Sequence, residues 1–292
     1  MLKSVNREQR DELKNFQEYV SSHEILDIDK DILKELEHFI TDDAKKEYST
    51  AIDNYRFDAD KIKRNNTIMN DNKVSDFWGN HKAHILSLLE DSKECPVCDL
   101  SYNSRLNYSR TVEHVFPKSE YQQYILSPIN LVYFCNSCNS YRGNKLDEGR
   151  IFHPLFSEID CHSKPIIKIF LRNDSKTGIK VTIDEPNTDY LYFIKLFKIS
   201  RKYQDFIKKL INEEISSIEN VMKMKLQGLS IDDKYKILNT FIEKEFSFES
   251  DSDFIKTKTE AILLEKLNSE IKKKSWLFAR YVIDNSSILK DY

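Results

Sequence analysis

The chain has 292 residues, of which 32% are charged and 40% hydrophobic, and its formal net charge is −3 at pH 7. This length supports a substantial core and predicts two or three folding units. Because no apolar run approaches the about 20 residues of a membrane span, and the first residues do not read as a secretory signal, we expect a cytoplasmic protein with no membrane partner.

The N-terminal region, residues 1–90, is predicted to be helical. Residues 6–94 contain no proline and one glycine, Gly79, and apolar residues recur at helical spacing. His81 and His84 lie three residues apart, a spacing that can bind a metal ion. Without a matching pattern of carboxylates, we interpret them as structural.

Two Cys-x-x-Cys pairs follow, Cys95 with Cys98 and Cys135 with Cys138. Zinc takes four tetrahedral ligands, and four thiolates at about 2.3 Å leave no open position, so these residues predict a structural zinc site. The alternatives are two disulfides, which need an oxidising compartment, and a redox motif, which usually contains a single such pair. Cys161, the fifth cysteine, is interpreted as a small buried hydrophobe.

The stretch between the pairs, residues 99–134, is longer than the about 15–20 residues of common zinc ribbons, which predicts further structure inside it. Glu113 and His114 lie in a β-favouring run. On a strand their side chains point to opposite faces, so the carboxylate could hold a metal while the imidazole addresses another atom of the same substrate. A second strand over 131–134 and a short helix after Cys138 would complete a β-β-α unit.

The C-terminal half is predicted as a β-hairpin region, residues 161–188, and a helical region, residues 189–292. Apolar residues alternate over 167–171 and again over 179–183, with a polar turn between them. One helix face is then predicted at Tyr203, Phe206, Ile207, Leu210, Ile211, Ile215, Ile218 and Met222. The predicted fold class is α+β and mostly helical, with the zinc-clamped unit of residues 91–160 between helical flanks.

The middle segment resembles the HNH endonucleases, the zinc-bracketed branch of the ββα-metal nucleases. The matching pieces are Glu-His-Val-Phe-Pro at 113–117, Asn-Leu at 130–131 and Cys-Asn-Ser-Cys-Asn-Ser-Tyr-Arg-Gly at 135–143. Three positions depart from the family pattern: Glu113 stands where Asp is commoner, Asn139 where His is, and Arg142 where Lys is. The resemblance implies a ββα-metal finger that is inserted between the flanks.

The resemblance also implies roles for single residues. His114 would be the general base that activates water, Glu113 and Asn139 would hold a catalytic Mg²⁺ or Mn²⁺ ion, and Asn130 would brace the loop that orients the histidine. An imidazole with a pKa near 6.5 can accept a proton at neutral pH, and a few oxygen ligands suit Mg²⁺. Zinc would hold the fold, and the second ion would assist the chemistry.

Nucleic acid is the implied substrate, with DNA favoured and RNA possible. Lys118, Arg142 and Lys145 are the candidate phosphate contacts. Residues 105–145 carry five basic against two acidic side chains, a charge of +3 that is a weak electrostatic footprint. This weak basicity indicates that a partner helps to hold the substrate.

A narrower resemblance concerns Phe-His-Pro-Leu-Phe at 152–156 and Pro-Lys-Ser at 117–119. These pieces are similar to the PtuB-like HNH subunits of Septu-type anti-phage defence systems, which act beside an ATPase. An antiviral role and a defence ATPase partner are therefore implied. The alternative function is a non-cleaving, zinc-stabilised nucleic-acid-binding or adaptor module, which would need the cysteines but not Glu113, His114 and Asn139.

Overall fold

The chain divides into two compact units, Met1–Val97 with Asn107–Asp160, and Cys98–Leu106 with Cys161–Tyr292. The predicted division into four regions stays a prediction, and most of the region 1–90, with His81 and His84, lies outside the described residues. The computed structural model describes residues 50, 79–80, 82–83, 93–102, 108–116, 130–142, 166–172, 178–184, 188–248 and 257–286.

In the first unit, strands β1 (Arg110–His114) and β2 (Leu131–Cys135) pair antiparallel, and helix α1 (Asn136–Arg142) follows directly. The register places His114 opposite Leu131 and Arg110 opposite Cys135. The sequence of β2, Leu-Val-Tyr-Phe-Cys, is rich in β-branched and aromatic residues, and four of its five side chains are buried. The order strand, strand, helix is the one that the sequence predicts.

Helix α1 begins earlier than predicted. It starts at Asn136, before Cys138 rather than after it, which makes Asn139 its fourth residue. The backbone N–H of Cys138 donates to Cys135 Sγ at 3.4 Å. This is the bond that an N-cap side chain accepts from the third helical residue, and here a sulfur atom accepts it in place of the usual oxygen.

In the second unit, β3 (Ile166–Leu171) and β4 (Ile179–Asp184) form the predicted hairpin, with Ile167 opposite Ile183. Buried and exposed side chains alternate along β3, as the period of two requires. Gly178 precedes β4 with a φ of 57°, and a Cβ there would overlap the ring of Tyr281. Only glycine fits this position.

The helices of the second unit pack around an apolar core. Helix α3 (Ile199–Leu226) buries all eight residues of its predicted face, and helix α5 (Lys258–Lys273) begins at a capping box formed by Thr257 and Glu260. No helix in the described ranges is both long and apolar enough to cross a membrane. The bounds are α2 (Thr188–Leu196), α3 (Ile199–Leu226), α4 (Ile231–Lys244), α5 (Lys258–Lys273) and α6 (Ser275–Asn285).

Candidate metal centre

The four cysteines of the two Cys-x-x-Cys pairs come together in a four-cysteine cluster: Cys95, Cys98, Cys135 and Cys138. Their Sγ atoms all lie within 4.8 Å of one another, the four residues are 0% exposed, and none of these four described cysteines forms a disulfide. Tetrahedral zinc with bonds of about 2.3 Å separates its sulfur ligands by about 3.8 Å. The cluster could therefore hold a structural metal ion such as zinc.

Backbone N–H groups point at the sulfur atoms of the cluster. The N–H of Cys135 donates to Cys95 Sγ at 3.4 Å, and the N–H of Cys138 donates to Cys135 Sγ at the same distance. Such donors favour the thiolate over the thiol, and a thiolate is the form that binds metal. Four buried sulfur donors with N–H support fit zinc, and they leave no ligand position for substrate.

Glu113, a predicted ligand of the catalytic ion, forms an ion pair with Arg142 at the end of α1. Arg142 Nη1 lies 2.8 Å from Glu113 Oε1 and 2.7 Å from the carbonyl oxygen of His114, and Nη2 donates to the carbonyl of Val115. Arg142 is 5% exposed. The Arg142 guanidinium therefore balances the charge of the Glu113 carboxylate, and its hydrogen bonds connect α1 to the end of β1.

This placement bears on the predicted phosphate contacts. Arg142 would have to break its hydrogen bonds to three buried or half-buried partners before it could bind a phosphate. Its contact with a phosphate therefore stays a prediction, and these hydrogen bonds oppose it. Lys118 and Lys145, the other two candidates, lie outside the described residues, as does Cys161.

Asn139, the second predicted ligand, lies on the same side of β1 as Glu113. Its Nδ2 donates to Thr111 Oγ1 at 3.3 Å, and Thr111 and Glu113 are two residues apart on the strand. Because the Thr111 hydroxyl donates its own proton to the Phe134 carbonyl at 3.2 Å, it accepts from Asn139. The amide nitrogen is thereby turned toward β1, and Asn139 Oδ1 is turned away from Thr111.

Asn130 clamps the backbone just beyond His114. Its Oδ1 accepts from the N–H of Phe116 at 2.8 Å, its Nδ2 donates to the carbonyl of Phe116 at 3.2 Å, and its own carbonyl accepts from the N–H of Val115 at 2.9 Å. Asn130 is completely buried, and His114 is half-buried on β1. These hydrogen bonds are compatible with the predicted role of Asn130, which is to brace the loop that orients His114.

We expect Asn130→Ala to lower the free energy of unfolding by about 2–4 kcal/mol, because it removes two hydrogen bonds to buried backbone groups of Phe116. Thermal or urea unfolding measures the loss. Asn285→Ala is the matched control: Asn285 Nδ2 also donates to a backbone carbonyl, that of Tyr281, but the bond is exposed, so a change within about 0.5 kcal/mol is expected. Equal effects from the two variants would contradict a clamping role.

Two side chains of this region were not assigned their contacts from sequence. Arg142 departs from the family pattern in sequence, but the sequence does not show it as the partner of Glu113. Lys202 donates to Cys98 Sγ at 3.4 Å from the buried side of α3. Its spacing to Ile199 and Phe206 places it on the apolar face of that helix, and this lysine among apolar residues is the signal that could have found it.

Comparisons of the chain with protein-family models, with curated proteins and with solved structures find no match. The metal site at the four-cysteine cluster is thus supported by the positions of its sulfur atoms. The resemblance to HNH endonucleases rests on the short sequence pieces that carry it.

Proposed function

We propose that this chain is a metal-dependent endonuclease that hydrolyses phosphodiester bonds of nucleic acid with an HNH arrangement of side chains. The observation that supports it most is the Asn130 clamp on the two residues after His114. A general base must be held in place, and this clamp fixes the backbone on which the imidazole is carried.

In the proposed reaction, His114 accepts the proton of the attacking water. Glu113 and Asn139, on one side of β1, are the oxygen donors that would hold Mg²⁺ or Mn²⁺, and Asn139 Oδ1 is already turned away from Thr111. When bound, such an ion stabilises the charge on the scissile phosphate and on the leaving oxygen. Mg²⁺ commonly binds through one or two carboxylates and the substrate phosphate, so a short list of protein ligands fits it.

The second candidate is the non-cleaving, zinc-stabilised nucleic-acid-binding or adaptor module, and the ion pair between Arg142 and Glu113 favours it. A guanidinium 2.8 Å from the carboxylate already supplies the positive charge that a divalent ion would supply. In that case Arg142 serves the stability of the β-β-α segment, and Glu113 binds no metal.

The finer proposal is that the chain is the nuclease subunit of a bacterial anti-phage complex that includes an ATPase. It is supported by the sequence pieces at 117–119 and 152–156, which lie outside the described residues.

Metal dependence tests the proposed function. We expect Glu113→Gln and Asn139→Ala each to raise the Mg²⁺ concentration for half-maximal cleavage by about tenfold, which corresponds to about 1.4 kcal/mol of lost ligand interaction. Cleavage of plasmid DNA and of total tRNA is followed while Mg²⁺ is titrated, and partial rescue at high Mg²⁺ is expected.

Asp184→Asn is the matched control, because Asp184 is an exposed carboxylate paired with Lys168 on the β3–β4 hairpin. Its Mg²⁺ requirement should equal that of the unchanged chain. If Glu113→Gln and Asn139→Ala also leave the requirement unchanged, these residues do not hold the catalytic ion. Nucleic-acid binding without cleavage at any Mg²⁺ concentration would select the second candidate.

A further inference from the structure

Lys202 is a buried lysine that contacts a sulfur atom of the four-cysteine cluster. In the second unit, this residue of α3 is 1% exposed, and its Nζ donates to Cys98 Sγ at 3.4 Å. An ammonium group is strongly penalised by burial unless an opposite charge lies beside it. The thiolate form of Cys98, which metal binding requires, is such a charge.

The segment that carries Cys98 is bound to α3 and α5 of the second unit by further hydrogen bonds. The hydroxyl of Tyr203 donates to the Cys98 carbonyl at 2.9 Å. Three residues later, the backbone N–H and the hydroxyl of Ser101 donate to Glu260 Oε1 at 2.8 and 2.7 Å. Neighbouring positions on α3, Lys202 and Tyr203, thus engage the side chain and the backbone of the same cysteine.

We propose that Lys202 is a positioning residue of the metal centre, whose ammonium offsets the charge of the Cys98 thiolate and orients its sulfur for the ion. Four thiolates around one divalent zinc leave two excess negative charges in a buried site, and the ammonium offsets one of them. Groups that orient and hydrogen-bond metal ligands commonly set the affinity of the site. This role is independent of the proposed nuclease activity.

The test uses the full chain and measures zinc affinity by competition with a chelator. Lys202→Met keeps the length and apolar stem of the side chain and removes the charge, so we expect zinc to bind about 10–100-fold more weakly. Lys202→Gln retains an N–H donor without the charge, so its zinc affinity should lie between those of Lys202→Met and the unchanged chain. Lys234→Met is the matched control, because Lys234 on α4 is also 1% exposed, and its zinc affinity should be unchanged.

Cobalt in place of zinc separates positioning from packing. A positive donor stabilises the sulfur lone pairs, so its removal should move the sulfur-to-cobalt charge-transfer band of Lys202→Met to lower energy. If Lys202→Met does not fold, a smaller shift in the same direction is expected in Lys202→Gln. An unchanged band, unchanged zinc affinity, or an equal loss of affinity in Lys234→Met would overturn the proposal.

Discussion

Cys138→Ser is expected to abolish zinc binding and to unfold the β1–β2–α1 segment. Cys138 is completely buried in the four-cysteine cluster and lies in the first turn of α1. The binding free energy of a structural zinc ion is about 10–16 kcal/mol and is at the same time folding free energy. It is comparable to the whole stability of a domain, about 5–15 kcal/mol, so the segment is not expected to fold without the ion.

Zinc content by elemental analysis and thermal unfolding by circular dichroism measure this effect. Cys161→Ser is the matched control, since Cys161 is outside the two Cys-x-x-Cys pairs, and this variant should keep one zinc ion per chain. A Cys138→Ser variant that retains zinc and melts like the unchanged chain would show that the cluster is not a structural metal site.

His114→Ala is expected to abolish cleavage while it leaves zinc content and melting temperature nearly unchanged. Loss of a general base alone costs on the order of 10²–10⁴-fold in rate. The imidazole is not a member of the four-cysteine cluster, and His114 is half-buried at the end of β1, so its truncation should cost little stability. Single-turnover cleavage at saturating Mg²⁺ isolates the chemical step.

Val112→Ala provides the control for His114→Ala, because Val112 lies two residues away on the same face of β1 and is also half-buried. It should cut at close to the rate of the unchanged chain. Cleavage by His114→Ala at the unchanged rate would rule out the HNH mechanism, whatever the cysteines do.

The elements with a strong hydrophobic period could be predicted from sequence. The alternation over 167–171 and 179–183 predicts β3 and β4, and the apolar stripe predicts the buried face of α3. The first residue of α1 could not be predicted, because its N-cap is the sulfur of Cys135 and not one of the usual capping side chains. Ser101 is bound by Glu260, 159 residues further along the chain, and no local pattern encodes such a pairing.

The candidate site divides in the same way. The spacing of the four cysteines is a local signal, and their cluster was predictable. The ion pair of Glu113 with Arg142 and the bond of Lys202 to Cys98 join residues 29 and 104 positions apart, so only the folded chain brings them together. Both contacts involve charged side chains that fold into buried or half-buried positions. The type of a residue does not show whether its side chain is buried or which residue it contacts.

The most direct measurement of the proposed function is phosphodiester hydrolysis by the zinc-loaded full chain, with Mg²⁺ supplied or withheld. Supercoiled plasmid DNA and total tRNA are incubated in parallel, and zinc content is checked before and after the reaction. We predict cleavage that requires added Mg²⁺ while the zinc content stays constant. A folded, zinc-loaded chain that cuts neither substrate at any Mg²⁺ concentration would contradict the proposed endonuclease activity.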